Sequence, residues 1–467
     1  MLGRRGCSFV LPVLFLLIFE GGVGAEGRAG SRVLVKLSNE SGSSAALSIQ
    51  SNQPPTGWKY LKGVDLYIVD ETGQGSLESL QESGAVEAME SEEDIHLEAL
   101  PNDPMVSGQG WITGGVGLSG GLDIGIAEAW SLVTGSTNVI VAVIDSGIDP
   151  EHPDLKTNLW TNPHEVAGNG GDDDNNGFVD DIHGFNFKDH NSDIHDENGH
   201  GSHMAGIIGA VGNNGVGVAG INWNVRLMPL KFTDAQGSGT SAGAIESINY
   251  AIENGANIIN ASWTLKLDRV VNGEDNLLKQ AIEKAGEAGI LFVTASGNQF
   301  DTGIGLNVDR TPVYPVKFGS TNLIAVAAVD NQGNPASYSN YGPLSVGIAA
   351  PGTGILSTMA HKNYGSMTGT SISTAFVSGA ADLMLSLQPS LTPEQIKSPL
   401  LGSVTSKDSL KNFVSSGGIL NIGKAVTSLQ GAAAPSASSG GEPPPVTAPA
   451  SSLIGPTSGG CSLIPDF

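Results

Sequence analysis

A chain of 467 residues, 39% of them hydrophobic, is long enough to bury one large core and carry smaller appendages. Its 47 acidic residues against 22 Lys and Arg give a net charge of -25, which disfavours nucleic acid and anionic membranes as partners and favours bound cations. With only two cysteines, Cys7 and Cys461, no disulfide framework is available, so packing or metals must supply stability.

Arg4 and Arg5, an apolar run over 9–19 too short to cross a bilayer, and Val23-Gly24-Ala25 read as a secretory signal over 1–25. Secreted or extracytoplasmic placement is then expected, the cell envelope included, with no membrane span and Cys461 as the only thiol in the mature chain. Within the N-terminal segment 26–105, residues from about 32 to 97 read as a small α/β unit. Strands are expected over 32–37, 64–69 and 86–90, and a helix over 76–83, where Leu77 and Leu80 share a face and Gly84 ends it. Pro101-Asn102-Asp103-Pro104 breaks structure and marks a boundary.

Over 106–431 the pattern alternates. Helices are expected over 124–132, 241–254, 276–288 and 373–386, with a helix-like run over 204–210. Strands are expected over 139–144, 256–261, 290–295 and 323–329. Such alternation predicts an α/β fold with a mostly parallel sheet flanked by helices, whose ligand sites lie at the carboxyl ends of the strands. Residues 432–467, rich in Ala, Ser, Gly and Pro, carry too little apolar bulk to repay ordering and read as a disordered tail.

Three segments carry groups suited to acyl transfer. Asp145 ends the apolar run Val139-Ile140-Val141-Ala142-Val143-Ile144. His200 stands between Gly199 and Gly201, where its imidazole is free to reach two partners. Ser371 lies in Gly369-Thr370-Ser371 ahead of a small-residue helix, whose N-terminus favours developing negative charge. In these roles Asp145 orients the ring, His200 is general base and then general acid, and Ser371 is the nucleophile. Two have a bland alternative: Asp145 as a strand-end turn residue and Ser371 as an N-cap serine. Asn298, in Ala295-Ser296-Gly297-Asn298, is placed to donate to an oxyanion or to serve as a turn residue. His203 reads as a packed helix histidine, a His200/His203 metal pair being the alternative.

The four motifs, in the order Asp145, His200, Asn298, Ser371, resemble those of the subtilases, the subtilisin-like serine peptidases, over about 123–431. The N-terminal unit resembles their inhibitory propeptides. The resemblance implies a secreted serine endopeptidase made as a zymogen, acting on proteins or peptides as a monomer. Ser262, Trp263 and Thr264 match the substrate-binding strand, but Thr264 and Leu265 stand where the family usually has a Gly pair, which leaves the P1 preference open. Ala375 and Phe376 replace a usual Pro-His pair, and altered packing is expected there. The alternatives are a specialised maturation protease or a catalytically silent binding protein on the same fold. His200, in a good motif, disfavours a Ser-Glu-Asp peptidase.

Calcium is the expected cofactor. Asp172, Asp174 and Asn176 precede Gly177 as in the front of an EF-hand loop, with Asp180 or Asp181 closing it. A second site follows from the resemblance: Asp154 and Asn214, with the carbonyls of Gly212, Val216 and Val218, match the family's strong calcium site, its N-terminal ligand unassigned. Gly459-Gly460-Cys461 resembles the start of some bacterial C-terminal sorting signals, the alternative being a plain tail with one thiol.

Overall fold

The computed structural model describes residues 32–37, 55–61, 64–91, 100–114, 122–265 and 276–431. The expected signal and tail, with both cysteines, lie outside them. The chain divides into two compact units, 1–97 and 98–467. The division falls between Leu97 and Glu98, where the small α/β unit is expected to end, ahead of residue 105. Backbone hydrogen bonding accounts for this: Met105 N donates to Gly217 O at 2.8 Å, and Gly215 N to the Asn102 side chain at 2.8 Å. These contacts hold the stretch from Asn102 to Met105 in the second unit.

Among the described residues the first unit has a four-stranded antiparallel sheet and one α-helix. Its elements are β1 (Val33–Leu37), β2 (Trp58–Leu61), β3 (Leu66–Val69), α1 (Gln74–Glu82) and β4 (Val86–Ser91), with sheet order β2-β3-β1-β4. Val35, Trp58, Tyr67, Val69, Leu77 and Leu80 form its core. β2 was not expected, because Lys59 and Tyr60 leave its short segment no apolar run.

In the second unit the elements in chain order are α2 (Gly110–Thr113), α3 (Ile126–Trp130), β5 (Gly135–Asp145), β6 (Phe185–Asn186), α4 (His200–Gly209), β7 (Asn224–Lys231), α5 (Ser241–Glu253) and β8 (Ile258–Ala261). There follow α6 (Leu277–Glu287), β9 (Leu291–Ala295), β10 (Leu323–Val329), β11 (Ile348–Pro351), β12 (Ile355–Met359) and β13 (Asn363–Met367). The unit closes with α7 (Thr370–Leu387), α8 (Pro393–Gly402), β14 (Thr405–Ser406), β15 (Gly418–Ile419) and α9 (Ile422–Gly431). The nine-stranded sheet runs β14-β15-β11-β10-β9-β8-β5-β7-β6, parallel except at β14–β15, while β12 and β13 form a separate hairpin. This is the expected α/β class.

β5 sits where the strand order reverses: the chain goes from β5 to β7 on one side and then to β8 on the other. In open α/β sheets such a switch point opens a crevice at the carboxyl ends of the strands. α7 crosses beneath it and is apolar because the core surrounds it, with 83% of its length buried. Three expected helices differ in extent. The one over 124–132 is a single turn, since Gly125, at φ +70° and held by the Asp123 carboxylate at 2.7 Å, starts it late. α4 begins at His200 and α7 at Thr370, both earlier than the apolar pattern suggests.

Candidate active site

Asp145 is the last residue of β5 and only 5% exposed. His200 is the first residue of α4, entered through Gly199 at φ +91°, a conformation that costs any residue with a Cβ. A Cβ on Gly201 would lie 2.1 Å from the Gly147 carbonyl oxygen, so glycine there is what lets the first turn of α4 close onto the end of β5. His200 Nδ1 thereby comes to 2.8 Å from Asp145 Oδ1, which also accepts the Ser146 N–H at 2.8 Å. Burial works against charge on the ring, but the Asp145 charge and hydrogen bond, reinforced by Asp196, outweigh it and raise the His200 pKa above the ordinary histidine value.

Asp196 was missed at the sequence level. Its buried Oδ1 accepts Ser146 Oγ at 2.8 Å and the N–H groups of Asn198 and Gly199, and its Oδ2 accepts Ser202 N at 2.8 Å. It satisfies the open end of α4 and ties it to the residue after Asp145. An acid just ahead of a helix start was the available signal. His203 is fully buried with Nε2 at 3.0 Å from Ile355 O, and burial lowers its pKa to about 4. It packs as a core histidine.

Ser371 lies in the first turn of α7. Its Oγ donates to Ser262 O at 3.0 Å, and Ser262 Oγ donates back to Ser371 O at 3.1 Å. The hydroxyl is therefore turned toward β8 and not toward His200. Asn298 Oδ1 accepts the Thr370 N–H at 2.9 Å, which leaves its Nδ2 to donate elsewhere. A Cβ built on Gly369 would lie 3.4 Å from Asn298 Nδ2 and 3.8 Å from Ser371 N, so the two nitrogens flank Gly369. Ser262 and Trp263 line a cleft of about 190 Å³ with Asp145, Ser146, Asn198, His200, Phe232, Thr233 and Gly237. Thr264 is not among the residues that line it; a Cβ built on Gly297 would lie 3.5 Å from its methyl carbon. Phe376 is fully buried and meets Trp111 edge-on at 5.2 Å.

Residues 136–420 match the model of the Subtilase family. The chain belongs to the subtilase family. That is a family of serine-type endopeptidases. The chain is 34% identical over 327 residues to subtilisin-like protease 1 of Plasmodium berghei, covering 66% of this chain and 53% of that protein. It is 34% identical over 287 residues to subtilisin DY of Bacillus licheniformis, covering 61% of this chain and 89% of that one. The chain thus spans about half the length of the Plasmodium relatives it matches. Among solved structures it is similar to a Pseudoalteromonas arctica protease, with TM-score 0.54, 27% identity and 71% and 99% of the two chains covered. The prenylagaramide maturation protease PagA gives TM-score 0.50 at 29% identity, over 66% and 99%.

Two further clusters in this subtilase bear on metal. Ligand oxygens of Glu165, Asp172 and Asp174 all lie within 4.8 Å of one another, and Glu165 Oε2 is buried without a partner. Burial raises the Glu165 pKa, with Asp181 and Asp173 adding to it. Glu165 was missed because no local spacing joins it to the Asp172 loop. Asp180 faces elsewhere: its oxygens accept the N–H groups of Asn169 and Gly170. Asp181 is buried, bonded to Tyr250 Oη at 2.6 Å and to the Asn162 and Asn176 amides. Asn176 turns its Nδ2 toward Asp174 and Asp181. At the second cluster Asp154 accepts Asn214 Nδ2 at 2.9 Å, Val218 N at 3.0 Å and Tyr364 Oη at 2.9 Å. Asp103 joins the same loop, accepting the N–H groups of Asn213 and Asn214 at 2.6 and 3.1 Å.

Proposed function

We propose that this subtilase is a secreted serine endopeptidase that cleaves peptide bonds through Ser371, His200 and Asp145 by way of an acyl-enzyme. The observation that carries the reading is the Asp145–His200 hydrogen bond of 2.8 Å at the switch point of the sheet, on a cleft also lined by Ser262, which is hydrogen-bonded to Ser371. Asp145 holds Nδ1–H, which leaves Nε2 to take the Ser371 proton as Oγ attacks the scissile carbonyl. For that step the hydroxyl leaves Ser262 O and turns to His200. The oxyanion then forms in the space faced by Asn298 Nδ2 and Ser371 N, and His200 returns its proton to the departing amine. Water repeats the sequence to free the acyl group.

The N-terminal unit acts in this reading as an inhibitory propeptide, removed by cleavage ahead of Asn102, because residues 102–105 are fixed to the catalytic unit. Calcium is the proposed structural ion. The buried, partnerless Glu165 oxygen beside Asp172 and Asp174 fits a hard cation held by oxygen ligands. Asp154 and Asn214 are the proposed ligands of a second ion, with Asp103, bound to the same loop through Asn213 and Asn214, as a further candidate. Neither ion takes part in the chemistry.

The test is expression of wild type and Ser371→Ala in a host without other extracellular proteases, with N-terminal sequencing and assay on an unfolded protein. Wild type should start between 92 and 102 and digest the substrate. Ser371→Ala should keep its N-terminal unit and lose about six orders of magnitude in kcat. Equal activity and identical mature N-termini would overturn the reading.

A further inference from the structure

Beneath the nucleophile runs a buried chain of hydrogen bonds whose far end touches neither substrate nor reacting atoms. Ser378 Oγ donates to Asn260 Oδ1 at 2.9 Å, Asn260 Nδ2 donates to Ser262 Oγ at 2.9 Å, and Ser262 Oγ donates to Ser371 O at 3.1 Å. Asn260 and Ser378 are fully buried and Ser262 is 5% exposed. The chain leaves α7 two turns beyond Ser371, crosses β8, and returns to α7 at the nucleophile itself. All three donors point the same way along it.

We infer that Ser378 and Asn260 are positioning residues for Ser371, with Ser378 fixing which way the Asn260 amide faces. This rests on the proposed role of Ser371 as nucleophile. An amide carries a donor and an acceptor on nearly identical atoms, so its own shape does not choose between two orientations. The Ser378 hydroxyl chooses by donating to Oδ1, which sends Nδ2 to Ser262. Ser262 Oγ, holding a donated hydrogen, then spends its own on Ser371 O. If the amide turned over, Oδ1 would face Ser262, whose hydroxyl would donate to it and release Ser371 O. The main chain at Ser371 carries both the nucleophile and one oxyanion donor, and a small displacement of either costs rate far more than it costs substrate binding. The Ser262 carbonyl, which accepts Ser371 Oγ at 3.0 Å, would shift with it.

The test compares wild type, Ser378→Ala, Ser378→Thr, Ser262→Ala and the Ser262→Ala/Ser378→Ala double variant. Each is titrated for active sites and assayed for kcat, KM and the rate of fluorophosphonate labelling at Ser371. Ser378→Ala should lower kcat and the labelling rate about tenfold, the factor that goes with one misdirected hydrogen bond, at unchanged KM. Ser378→Thr, which keeps the hydroxyl, should restore both. The double variant should be no slower than Ser262→Ala, because both act through one chain. A melting midpoint that falls in Ser378→Ala at wild-type kcat per active site would overturn the proposal, as would additive losses in the double variant. Should Ser378→Ala fail to fold, Ser262→Ala alone decides: kcat and labelling equal to wild type would overturn it. Absence of labelling at Ser371 in wild type would instead overturn the proposed function.

Discussion

Two regions of this molecule are built from aspartates and use them in opposite ways. At the end of β5 one buried carboxylate, Asp145, faces one imidazole at 2.8 Å, and a second, Asp196, is spent entirely on N–H and hydroxyl donors. In the loop from Glu165 to Asp181 several carboxylates converge, and among the described residues none forms an ion pair with Lys, Arg or His. In the first region His200 and the surrounding N–H and hydroxyl groups engage both carboxylates from within the fold, leaving Asp145 Oδ2 without a partner. The second holds its oxygens apart with backbone N–H groups and the Asn162 and Asn176 amides, and the proposed cation would match its charge. Position in the fold separates them, since core elements present the first set and a surface loop the second.

The comparison breaks most visibly at Asp145. Asp145→Asn keeps the shape but removes the charge that orients His200, and kcat should fall about four orders of magnitude. The pH dependence should change with it. Because burial is outweighed by Asp145 and Asp196, the His200 pKa lies above its ordinary value, and the neutral form needed as base appears only as pH rises through that raised value. Wild-type kcat/KM should therefore climb with an inflection above the ordinary histidine range, and in Asp145→Asn the inflection should move down. The same raised pKa makes the Asp145–His200 pair stabilising below the unfolded histidine pKa and progressively less so as pH rises through the folded value.

Next in size is Asn298. Asn298→Ala should lower kcat by about two to three orders with little change in KM, since its donor meets charge only in the transition state. Rates on a small ester and a peptide measure this, and a change confined to KM would assign Asn298 to substrate binding instead.

The smallest effect concerns the acidic loop. A chelator should lower the melting midpoint, because ligand bound only to the native state adds about 2.7 kcal/mol at a hundredfold excess over Kd. Glu165→Gln should shrink the calcium-induced rise while leaving the midpoint in chelator unchanged or higher, as one repelling charge is gone. Equal rises in wild type and Glu165→Gln would remove Glu165 from the site.

How much of this was legible in the sequence follows the same division. β10, over Leu323–Val329, reads correctly to the residue because every position is apolar and buried on both faces. β7 was not read as a strand: Arg226, Pro229 and Lys231 interrupt its apolar pattern. The sheet tolerates them because β6 pairs with β7 only at Phe185 and Asn186, and because buried Lys231 places Nζ 2.7 Å from His195 O. The helices α4 and α7 start earlier than their apolar stretches, since each opens with the polar turn that bears a candidate catalytic residue. Asp103 looked like turn chemistry between two prolines, and Glu165 belonged to no motif. Asp103 takes its meaning from a loop distant in sequence, and Glu165 from the path of its own loop, neither of which local spacing encodes.

The most direct test of the division between the two regions is the rate of fluorophosphonate labelling at Ser371, located by peptide mapping. It should be taken below the melting midpoint, with calcium and with chelator, in wild type, Asp145→Asn and Glu165→Gln. The account predicts that Asp145→Asn labels orders of magnitude more slowly under both conditions. Wild type and Glu165→Gln should label at the same rate as each other with and without calcium. Equal labelling of wild type and Asp145→Asn, or a calcium requirement for labelling of the folded protein, would contradict it.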